Sequence, residues 1–265
     1  MGASSLLDEL VGSRPPGTGP ENLVILRTAN STNQVARGIV AEYEKEEQEL
    51  HPLLILALEQ SGGRGRQGRG WTSPFGKGVY ATRVLRVEDP EILQTLPLLA
   101  GVGLCRGLAS HLPFPCRLKW PNDLIVETLE GRRKIGGVLI EALIRPDEGA
   151  AAILGFGVNL GHGADDLPES ATSLRLLGKG ETTLGRLTWD LVDGLERELA
   201  RLGDVAYAVE SYRELSVHQA GERLVCRMGE GVVEGSFAGF DERGRLLLDR
   251  DGEELRLASG EVIEP

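Results

Sequence analysis

A loop rich in glycine and arginine, residues 60–78, carries the side chains best suited to chemistry in this chain. Five glycines between positions 62 and 70 let the backbone turn tightly and come close to a ligand. Arg64, Arg66 and Arg69 lie between them and give the loop three fixed positive charges. Inward-pointing backbone N–H groups and guanidinium groups bind anions such as phosphate. We therefore predict an anion-binding loop here.

The spacing Gly63-x-Gly65-x-x-Gly68 also matches a dinucleotide-binding fingerprint, which needs a helix that starts within the glycines. Residues 70–78 instead contain further glycines and a proline, and the next periodic stretch, residues 79–87, has the pattern of a strand. The fingerprint therefore does not predict a Rossmann fold. A solvated basic surface loop remains an alternative interpretation of the arginines.

Three further segments place polar side chains at predicted strand ends. The sequence Lys119-Trp-Pro-Asn122-Asp123 combines a cation, an amide and a carboxylate beside a proline turn. Lys134 precedes Ile-Gly-Gly, so its ammonium group can lie over a ligand that the glycines admit, and Asn159 ends another apolar segment. Each segment alone is equally compatible with a structural role, as a turn or as an exposed lysine at the start of a strand.

The overall composition limits the possible functions. The chain has 265 residues, is 41% hydrophobic and carries a net charge of −11, which argues against general nucleic-acid binding. Its three cysteines and four histidines are dispersed, so we expect neither a disulfide framework nor a protein metal site. No apolar run is long enough for a membrane span, and no leader pattern is evident. We expect a reduced, cytoplasmic setting without membrane association.

The pattern of strands and helices that must position these residues predicts two folded parts. Residues 1–20 read as an N-terminal extension or linker with one short helical segment. Residues 21–217 alternate apolar strands with helical stretches and form the predicted ligand-binding domain of α+β type. Residues 218–265 contain four or five short strands separated by turns, which predicts a small β-barrel.

Taken together and in this order, the motifs resemble those of the biotin protein ligases. The resemblance rests on Ser31-Thr-Asn-Gln34, Glu59-Gln60, Gly63 to Trp71, Ser73-Pro-Phe-Gly76, Lys119 to Asp123, Lys134 to Gly137, Glu141, Gly155 to Asn159 and Ala171-Thr-Ser-Leu174. It implies a class II synthetase-like catalytic domain, a mixed β-sheet with helices on one face, followed by an SH3-like β-barrel.

The resemblance also implies a two-step reaction. Biotin and ATP would form biotinyl-5′-AMP and pyrophosphate, and a lysine of a biotin carboxyl carrier protein or domain would then take the biotin and release AMP. Mg²⁺ is expected with ATP, held mostly by the phosphates. No DNA-binding domain fits before the first predicted strand, so the repressor role of some relatives is not expected. A homodimer is an open expectation.

Site residues are assigned by the same resemblance. The catalytic residues would be Lys134, Arg66 and Asp123, with Asp123 positioning or deprotonating the incoming lysine. The expected biotin-binding residues are Ser31, Thr32, Asn33, Gln60, Gly63, Arg64, Lys134 and Gly137. The expected nucleotide-binding residues are Arg64, Arg66, Arg69, Trp71, Lys119, Asn122 and Asn159. For Trp71, a role as a core anchor stays open beside that of covering adenine.

Other functions remain as alternatives. A lipoate or octanoate ligase or transferase has a related fold and a lysine-bearing strand, but lacks the Gly-Arg-Gly-Arg loop and the Lys-Trp-Pro-Asn-Asp segment. A non-catalytic binding regulator would be expected to lack Lys134 or the loop arginines, and both are present. A nucleic-acid-binding module is disfavoured by the net charge and by the scarcity of interleaved aromatic residues.

Overall fold

The computed structural model describes residues 2–145 and 149–263. Met1 of the predicted extension, residues 146–148 of the predicted catalytic domain and residues 264–265 of the predicted barrel lie outside the described residues. The described residues form five α-helices: α1 (Ala3–Gly12), α2 (Thr32–Lys45), α3 (Leu96–Leu108), α4 (Leu184–Leu199) and α5 (Val205–Leu215).

A mixed seven-stranded sheet is the centre of the molecule. Its strands are β1 (Asn22–Leu26), β2 (Leu53–Ala57), β3 (Gly78–Val87), β4 (Cys116–Lys119), β5 (Asp123–Thr128), β6 (Gly131–Arg145) and β7 (Gly149–Asn159). They are arranged in the order β1-β2-β3-β7-β6-β5-β4, with β1 and β2 parallel and the other pairs antiparallel. Every residue of β2 is buried, which explains its continuous apolar sequence. The predicted mixed sheet of an α+β protein is confirmed.

Helices cover the two faces of this sheet unequally. Leu54 and Leu56 of β2 belong to the main core, which also contains α1, α3, α4 and α5. The alternate residue Ile55 faces the other way and joins a second core with Ala36 and Val40 of α2. The predicted position of the helices on one face is therefore correct for α1, α3, α4 and α5, whereas α2 covers the opposite face.

The N-terminal helix α1 packs against the larger sheet's main core. Leu6 and Leu10 of α1 are buried in the main core, and the backbone carbonyl of Leu10 accepts a hydrogen bond from Trp189 Nε1 on α4 at 2.7 Å. Glu9 Oε1 accepts a hydrogen bond from the Gly185 amide at the start of α4. The short helical segment predicted within residues 1–20 is formed as α1, and its apolar face packs on a helix that lies far away in the sequence.

Five antiparallel strands form a second, smaller sheet at the C-terminal end. They are β8 (Arg223–Met228), β9 (Gly231–Phe240), β10 (Leu246–Arg250), β11 (Glu253–Leu257) and β12 (Glu261–Ile263). The strand order is β11-β10-β9-β8-β12, so the ladder leaves β11 and β12 as edges among the described residues. The small β-domain is confirmed, while the pairing forms an open sheet and not a closed barrel.

The smaller sheet lies next to the turn between β4 and β5. His218 Nε2 accepts a hydrogen bond from the Trp120 amide at 3.2 Å, and the His218 ring packs on Phe237 of β9. The Val217 amide donates to the Leu118 carbonyl in β4. These contacts bring β12 close to the residues that follow β4. Among the described residues, no helix has the length and hydropathy needed to cross a membrane.

Candidate active site

A cavity of about 300 Å³ lies where the start of α2, the glycine–arginine loop, β6 and β7 meet, and β12 forms part of its wall. Most of the residues predicted from the sequence line it: Ser31, Thr32, Asn33, Gln60, Arg64, Arg66, Arg69, Trp71, Asn122, Asp123, Lys134, Gly137 and Asn159. Motifs that are widely separated in the sequence therefore converge on one cavity.

Two predicted site residues, Gly63 and Lys119, are not among the residues that line this cavity. A Cβ atom on Gly63 would lie 2.5 Å from the carbonyl oxygen of Trp71, so the glycine is required where the loop packs on itself. Lys119 ends β4 and is partly buried. The position of Gly63 supports a role in shaping the loop, and the contacts of Gly63 with biotin and of Lys119 with the nucleotide stay predictions.

One end of the cavity is built from hydroxyl and amide groups. Gln60 Oε1 accepts hydrogen bonds from the Thr32 amide at 2.9 Å and the Thr32 hydroxyl at 3.2 Å. Gln60 Nε2 donates to the hydroxyl of Ser73 at 2.9 Å, which fixes the orientation of the Gln60 amide. Ser31 precedes α2 as its N-cap residue, is buried, and makes no capping hydrogen bond with its side chain. This end can offer both donors and acceptors to a buried polar ligand.

The amide of Asn33 is held by the protein itself. Its Oδ1 accepts a hydrogen bond from the Thr82 hydroxyl at 2.7 Å, and its Nδ2 donates to Glu141 Oε2 at 2.9 Å. Arg37 donates two hydrogen bonds to the other oxygen of Glu141. Burial raises the pKa of Glu141, but the hydrogen bonds from Arg37 and Asn33 outweigh this and lower it overall. These contacts favour a supporting role for Asn33, as a fixed part of the wall.

The glycine–arginine loop folds as a tight hairpin. The Gly65 amide donates to the Arg69 carbonyl at 2.8 Å, and the Trp71 amide donates to the Gly63 carbonyl at 2.9 Å. At its tip Gln67 and Gly68 have positive φ angles of 56° and 73°. The loop therefore has a defined shape that presents its arginines to the cavity and to the smaller sheet.

The three loop arginines have different surroundings. Arg66 Nη1 donates to the Gly260 carbonyl at 2.8 Å and approaches Asn122 Oδ1 at 3.5 Å. Burial lowers the pKa of Arg66, and the nearby carboxylates of Asp123 and Glu261 partly offset this effect. Arg69 is paired with Glu261. Arg64 is exposed and donates no side-chain hydrogen bond to another described residue, so it is available to a ligand.

Trp71 packs on the floor of the cavity. A Cβ atom on Gly157 of β7 would lie 2.6 Å from Trp71 Nε1, so the indole covers a strand position that only glycine can occupy. The ammonium group of Lys134 lies 5.5 Å from the centre of the indole ring. Trp71 therefore acts as an anchor for the loop and also forms a surface inside the cavity.

Lys134 is presented by an irregularity in β6. The pairing of β5 with β6 shifts between Lys134 and Gly136, and the intervening Ile135 is fully buried. The Lys134 backbone also pairs with residues 170–172, of which Ser170 and Ala171 line the cavity. Its Nζ lies 2.5 Å from Asp123 Oδ1, with both side chains partly exposed to the cavity. A lysine and a carboxylate thus lie next to each other beside Gly137.

Two asparagines use their amide nitrogens to hold the backbone. Asn122 Nδ2 donates to the Val138 carbonyl at 2.6 Å, and Asn159 Nδ2 donates to the Thr172 carbonyl at 3.0 Å. The Oδ1 atom of Asn159 is buried without a hydrogen-bond partner among the described residues. Both side chains line the cavity. The Asn122 oxygen has Arg66 Nη1 as a partner at 3.5 Å, whereas the Asn159 oxygen is unpartnered.

Sequence reasoning missed the contribution of the smaller sheet. Glu261 and Val262 of β12 line the cavity, and Val262 is buried. A three-residue strand with one glutamate carries no pattern that could have identified it. The segment 167–171 also lines the cavity; the motif beginning at Ala171 indicated its presence but not its position.

Comparison with known proteins defines the family. The model of the biotin/lipoate A/B protein ligase family matches residues 25–159, and the biotin protein ligase C-terminal domain matches residues 221–263. A biotin–[acetyl-CoA-carboxylase] ligase of Paracoccus denitrificans is 32% identical over 207 residues, covering 73% of this chain and 82% of that protein. The chain belongs to the biotin protein ligases.

Other biotin protein ligases match over most of the chain. A biotin–[acetyl-CoA-carboxylase] ligase of Mycobacterium tuberculosis is 28% identical over 267 residues, covering 98% of this chain and 94% of that protein. The structure of the biotin protein ligase of Aquifex aeolicus in complex with biotin and ATP aligns with a TM-score of 0.69 at 26% identity, over 92% of this chain and 98% of that one. By contrast, the chain spans 61% of the length of the bifunctional ligase/repressor of Bacillus spizizenii, with 27% identity.

Proposed function

We propose that this chain joins biotin to a lysine of a carrier domain in two steps. First, a carboxylate oxygen of biotin attacks the α-phosphorus of ATP, and the bond to the β-phosphate breaks to release pyrophosphate. Second, the acceptor amine attacks the acyl carbon of biotinyl-5′-AMP, an amide forms, and AMP leaves while the amine loses a proton. The observation that carries the proposal is one cavity with a hydroxyl- and amide-lined end beside a cluster of cations.

The polar end of the cavity suits the ureido ring of biotin. This ring has two N–H donors and one carbonyl acceptor, and each needs a partner once it is buried. Ser31 and Thr32 offer hydroxyl groups, while Gln60 is already oriented by Thr32 and Ser73. Asn33 would support this end through Thr82 and Glu141 and would not contact biotin directly.

The cationic part of the cavity suits the carboxylate and the α-phosphate. Two anions must approach each other in the first step, so fixed positive charge placed beforehand lowers the barrier. Lys134 provides a compact point charge, and Arg64 provides a guanidinium group that can close over the intermediate. Arg66 lies deeper, between Asn122 and the Gly260 carbonyl. We assign Lys134 and Arg66 to stabilising the charge that develops on the phosphate.

Asp123 is the candidate group for the second step. The incoming lysine must be a free amine when it attacks, so a nearby carboxylate can position it and accept its proton. Asp123 lies at the cavity wall beside Gly137 and pairs with Lys134. Once Lys134 turns to the substrate anions, this carboxylate becomes available to the amine.

Nucleotide contacts are assigned to the remaining wall. Trp71 offers an aromatic surface, Asn159 has an amide oxygen without a partner among the described residues, and Asn122 lies in the same wall beside Arg66. Among the described residues, no group of three or more metal-binding side chains lies together. The two cavity carboxylates, Asp123 and Glu261, are paired with cations. These residues therefore fit a Mg²⁺ ion that binds together with ATP and is coordinated mainly by the phosphates and water. They do not fit an ion coordinated by protein side chains alone.

The expected macromolecular partners are an acceptor and a second copy of the chain. The acceptor is a biotin carboxyl carrier protein or domain. Residues 140–144 of β6 pair with β7 on one side and have no strand partner on the other among the described residues, and Ile144 is exposed. Such an edge favours the pairing of two copies, so we retain the homodimer as a proposal. A cytoplasmic location is likewise retained, since all three cysteines are free thiols.

Exchange of labelled pyrophosphate into ATP tests the first step directly. Biotin, lipoate and octanoate should be supplied in parallel with Mg²⁺. Exchange with biotin alone is the expected result, because the amide-lined end fits a ureido ring. Faster exchange with lipoate or octanoate would favour the alternative function, a lipoate or octanoate ligase. The absence of exchange with all three acids would refute the proposed ligase activity.

A further inference from the structure

The segment between α5 and β8, residues 216–222, leads into the smaller sheet, and we call it the connector. It runs along the end of β4, where the Val217 amide donates to the Leu118 carbonyl at 2.9 Å. Arg132 of β6 donates from Nη2 to the Val217 carbonyl at 2.8 Å. The connector is therefore fixed on two strands of the larger sheet, beside the turn at residues 120–123 that lines the cavity.

His218 is the connector residue that reaches this turn. Its Nε2 accepts a hydrogen bond from the backbone amide of Trp120 at 3.2 Å. The His218 side chain is 1% exposed and Trp120 is 3% exposed, so water has little access to this amide. A buried amide that loses its partner carries the cost of its desolvation. The position of the turn therefore depends on a side chain that lies outside both sheets.

The contact with Trp120 defines the protonation state of the His218 ring. A backbone amide can only donate, so Nε2 must offer a lone pair and the ring proton must lie on Nδ1. An imidazolium would present an N–H group to the amide, and the hydrogen bond would be lost. Glu222 Oε2 lies 3.8 Å from Nδ1, where its negative charge favours a proton on that nitrogen.

Glu222 is itself held by two donors. Its Oε1 accepts from Arg132 Nη1 at 2.8 Å, and its Oε2 accepts from the Gln219 amide at 3.0 Å. Burial raises the pKa of Glu222, but these hydrogen bonds outweigh this effect and lower it overall. The carboxylate is therefore charged at neutral pH and faces the His218 ring in a fixed orientation.

The turn that His218 holds carries two residues of the proposed mechanism. Asn122 and Asp123 follow Trp120 closely in the sequence, and both line the cavity. Lys134 is held separately, since its backbone pairs with residues 170–172. A shift of the turn would therefore displace Asp123 more than Lys134. Because a small displacement of a reacting group lowers the rate strongly, such a shift should slow transfer to the acceptor more than adenylation.

We propose that His218 is a positioning residue for the transfer of biotin to the acceptor, and that it acts by holding the turn at residues 120–123 through the Trp120 amide. Glu222 supports it by selecting the ring tautomer that can accept this hydrogen bond. The inference rests on the proposed function for the role of Asp123. The connector thus contributes to the site without touching a substrate.

The first test compares two substitutions of His218. H218F keeps an aromatic ring against Phe237 and removes the acceptor, whereas H218Q supplies an amide oxygen in its place. Single-turnover transfer from biotinyl-5′-AMP to an acetyl-CoA-carboxylase carrier domain should fall about tenfold in H218F and about threefold or less in H218Q. Pyrophosphate exchange should fall by a smaller factor than transfer. H51F, at an exposed histidine before β2, is the matched control and should transfer at the original rate.

The second test determines the His218 tautomer in the original chain and requires no activity. Long-range proton–nitrogen correlation spectra of isotopically labelled protein distinguish a ring proton on Nδ1 from one on Nε2, and the signals missing in H218Q identify His218. A proton on Nδ1 is the expected result, and a proton on Nε2 would overturn the proposal.

The kinetic outcomes separate positioning from a general loss of structure. Urea unfolding gives the folded fraction of each variant, to which both rates are referred. Transfer in H218F at the original rate, or an equal decrease of transfer and exchange, would overturn the proposal. A lack of pyrophosphate exchange with biotin in the original chain would refute the proposed function instead, and the tautomer would still decide whether His218 holds the turn.

Discussion

Lys134 Nζ lies 2.5 Å from Asp123 Oδ1, so the cation assigned to the phosphate and the carboxylate assigned to the acceptor amine are paired with each other. In the proposed mechanism these two roles belong to successive steps, so the ion pair would couple the steps. Substrate anions would compete with Asp123 for Lys134, and the displaced carboxylate would then be available to accept a proton. Gly137 leaves room beside both groups, since a Cβ atom there would meet only ordinary contacts at 3.4–3.5 Å.

Replacement of Lys134 tests the cationic part of the cavity. K134Q keeps most of the side-chain length and removes the charge. We expect pyrophosphate exchange to fall by about 10²–10³, the effect of removing one preorganised group that stabilises developing negative charge. K45Q, at an exposed position on α2, is the control and should exchange at the original rate. A loss in K134Q of less than about threefold would contradict the role.

Replacement of Asp123 tests the division between the two steps. D123N leaves Lys134 charged and removes the candidate base, so transfer should fall by about 10²-fold while adenylation falls less. Single-turnover transfer from preformed biotinyl-5′-AMP to the carrier domain measures the second step, and pyrophosphate exchange measures the first. D165N, on an exposed turn, serves as the control. If both steps decreased equally, Asp123 would be a structural partner of Lys134 and not a base.

The parts of this site that the sequence predicts are those encoded in local motifs. The buried strand β2, the glycine–arginine loop and the turn before β5 all carry short-range patterns of apolar residues, glycine and proline. Such patterns limit the backbone locally. The side chains that meet in one cavity were assigned through the resemblance to the biotin protein ligases. The supporting role of Asn33 could not be predicted from such motifs, because its partners Thr82 and Glu141 belong to other strands.

The parts that could not be predicted depend on packing between distant segments. The amphipathic pattern of α1 predicts a helix, but its packing partners in the main core, among them Trp189, lie far away in the sequence. The strand β12 is three residues long, too short to give a period, and its Glu261 resembles many solvated glutamates. Its importance arises from Arg69, which approaches it across the boundary between the two sheets.

The contact between Trp71 and Gly157 gives a prediction about stability. G157A adds a Cβ atom 2.6 Å from Trp71 Nε1, so the indole or β7 must shift. Overpacking of this kind costs about 1–3 kcal/mol of unfolding free energy, which urea denaturation can measure. At Gly180 a Cβ atom would meet nothing within 4 Å, so G180A is the matched control and should unfold at the original urea concentration. Equal stability of the two variants would show that Trp71 can move freely.

His162 gives a prediction about pH dependence. It follows β7, is fully buried, and burial lowers the pKa of its imidazole below the usual value of 6.5. Above pH 6.5 both the folded and the unfolded chain carry it neutral, so it adds no slope. As the pH falls below 6.5 the unfolded chain binds the proton first, and the free energy of unfolding decreases by up to about 1.4 kcal/mol per pH unit. This loss continues until the pH reaches the lower pKa of the folded state.

The variant H162Q cannot bind this proton, so its free energy of unfolding should fall less steeply between pH 6.5 and 5 and run parallel to that of the original chain above pH 7. Urea unfolding across this range measures both slopes, and equal slopes below pH 6.5 would mean that His162 is protonated as readily in the folded chain as in the unfolded one.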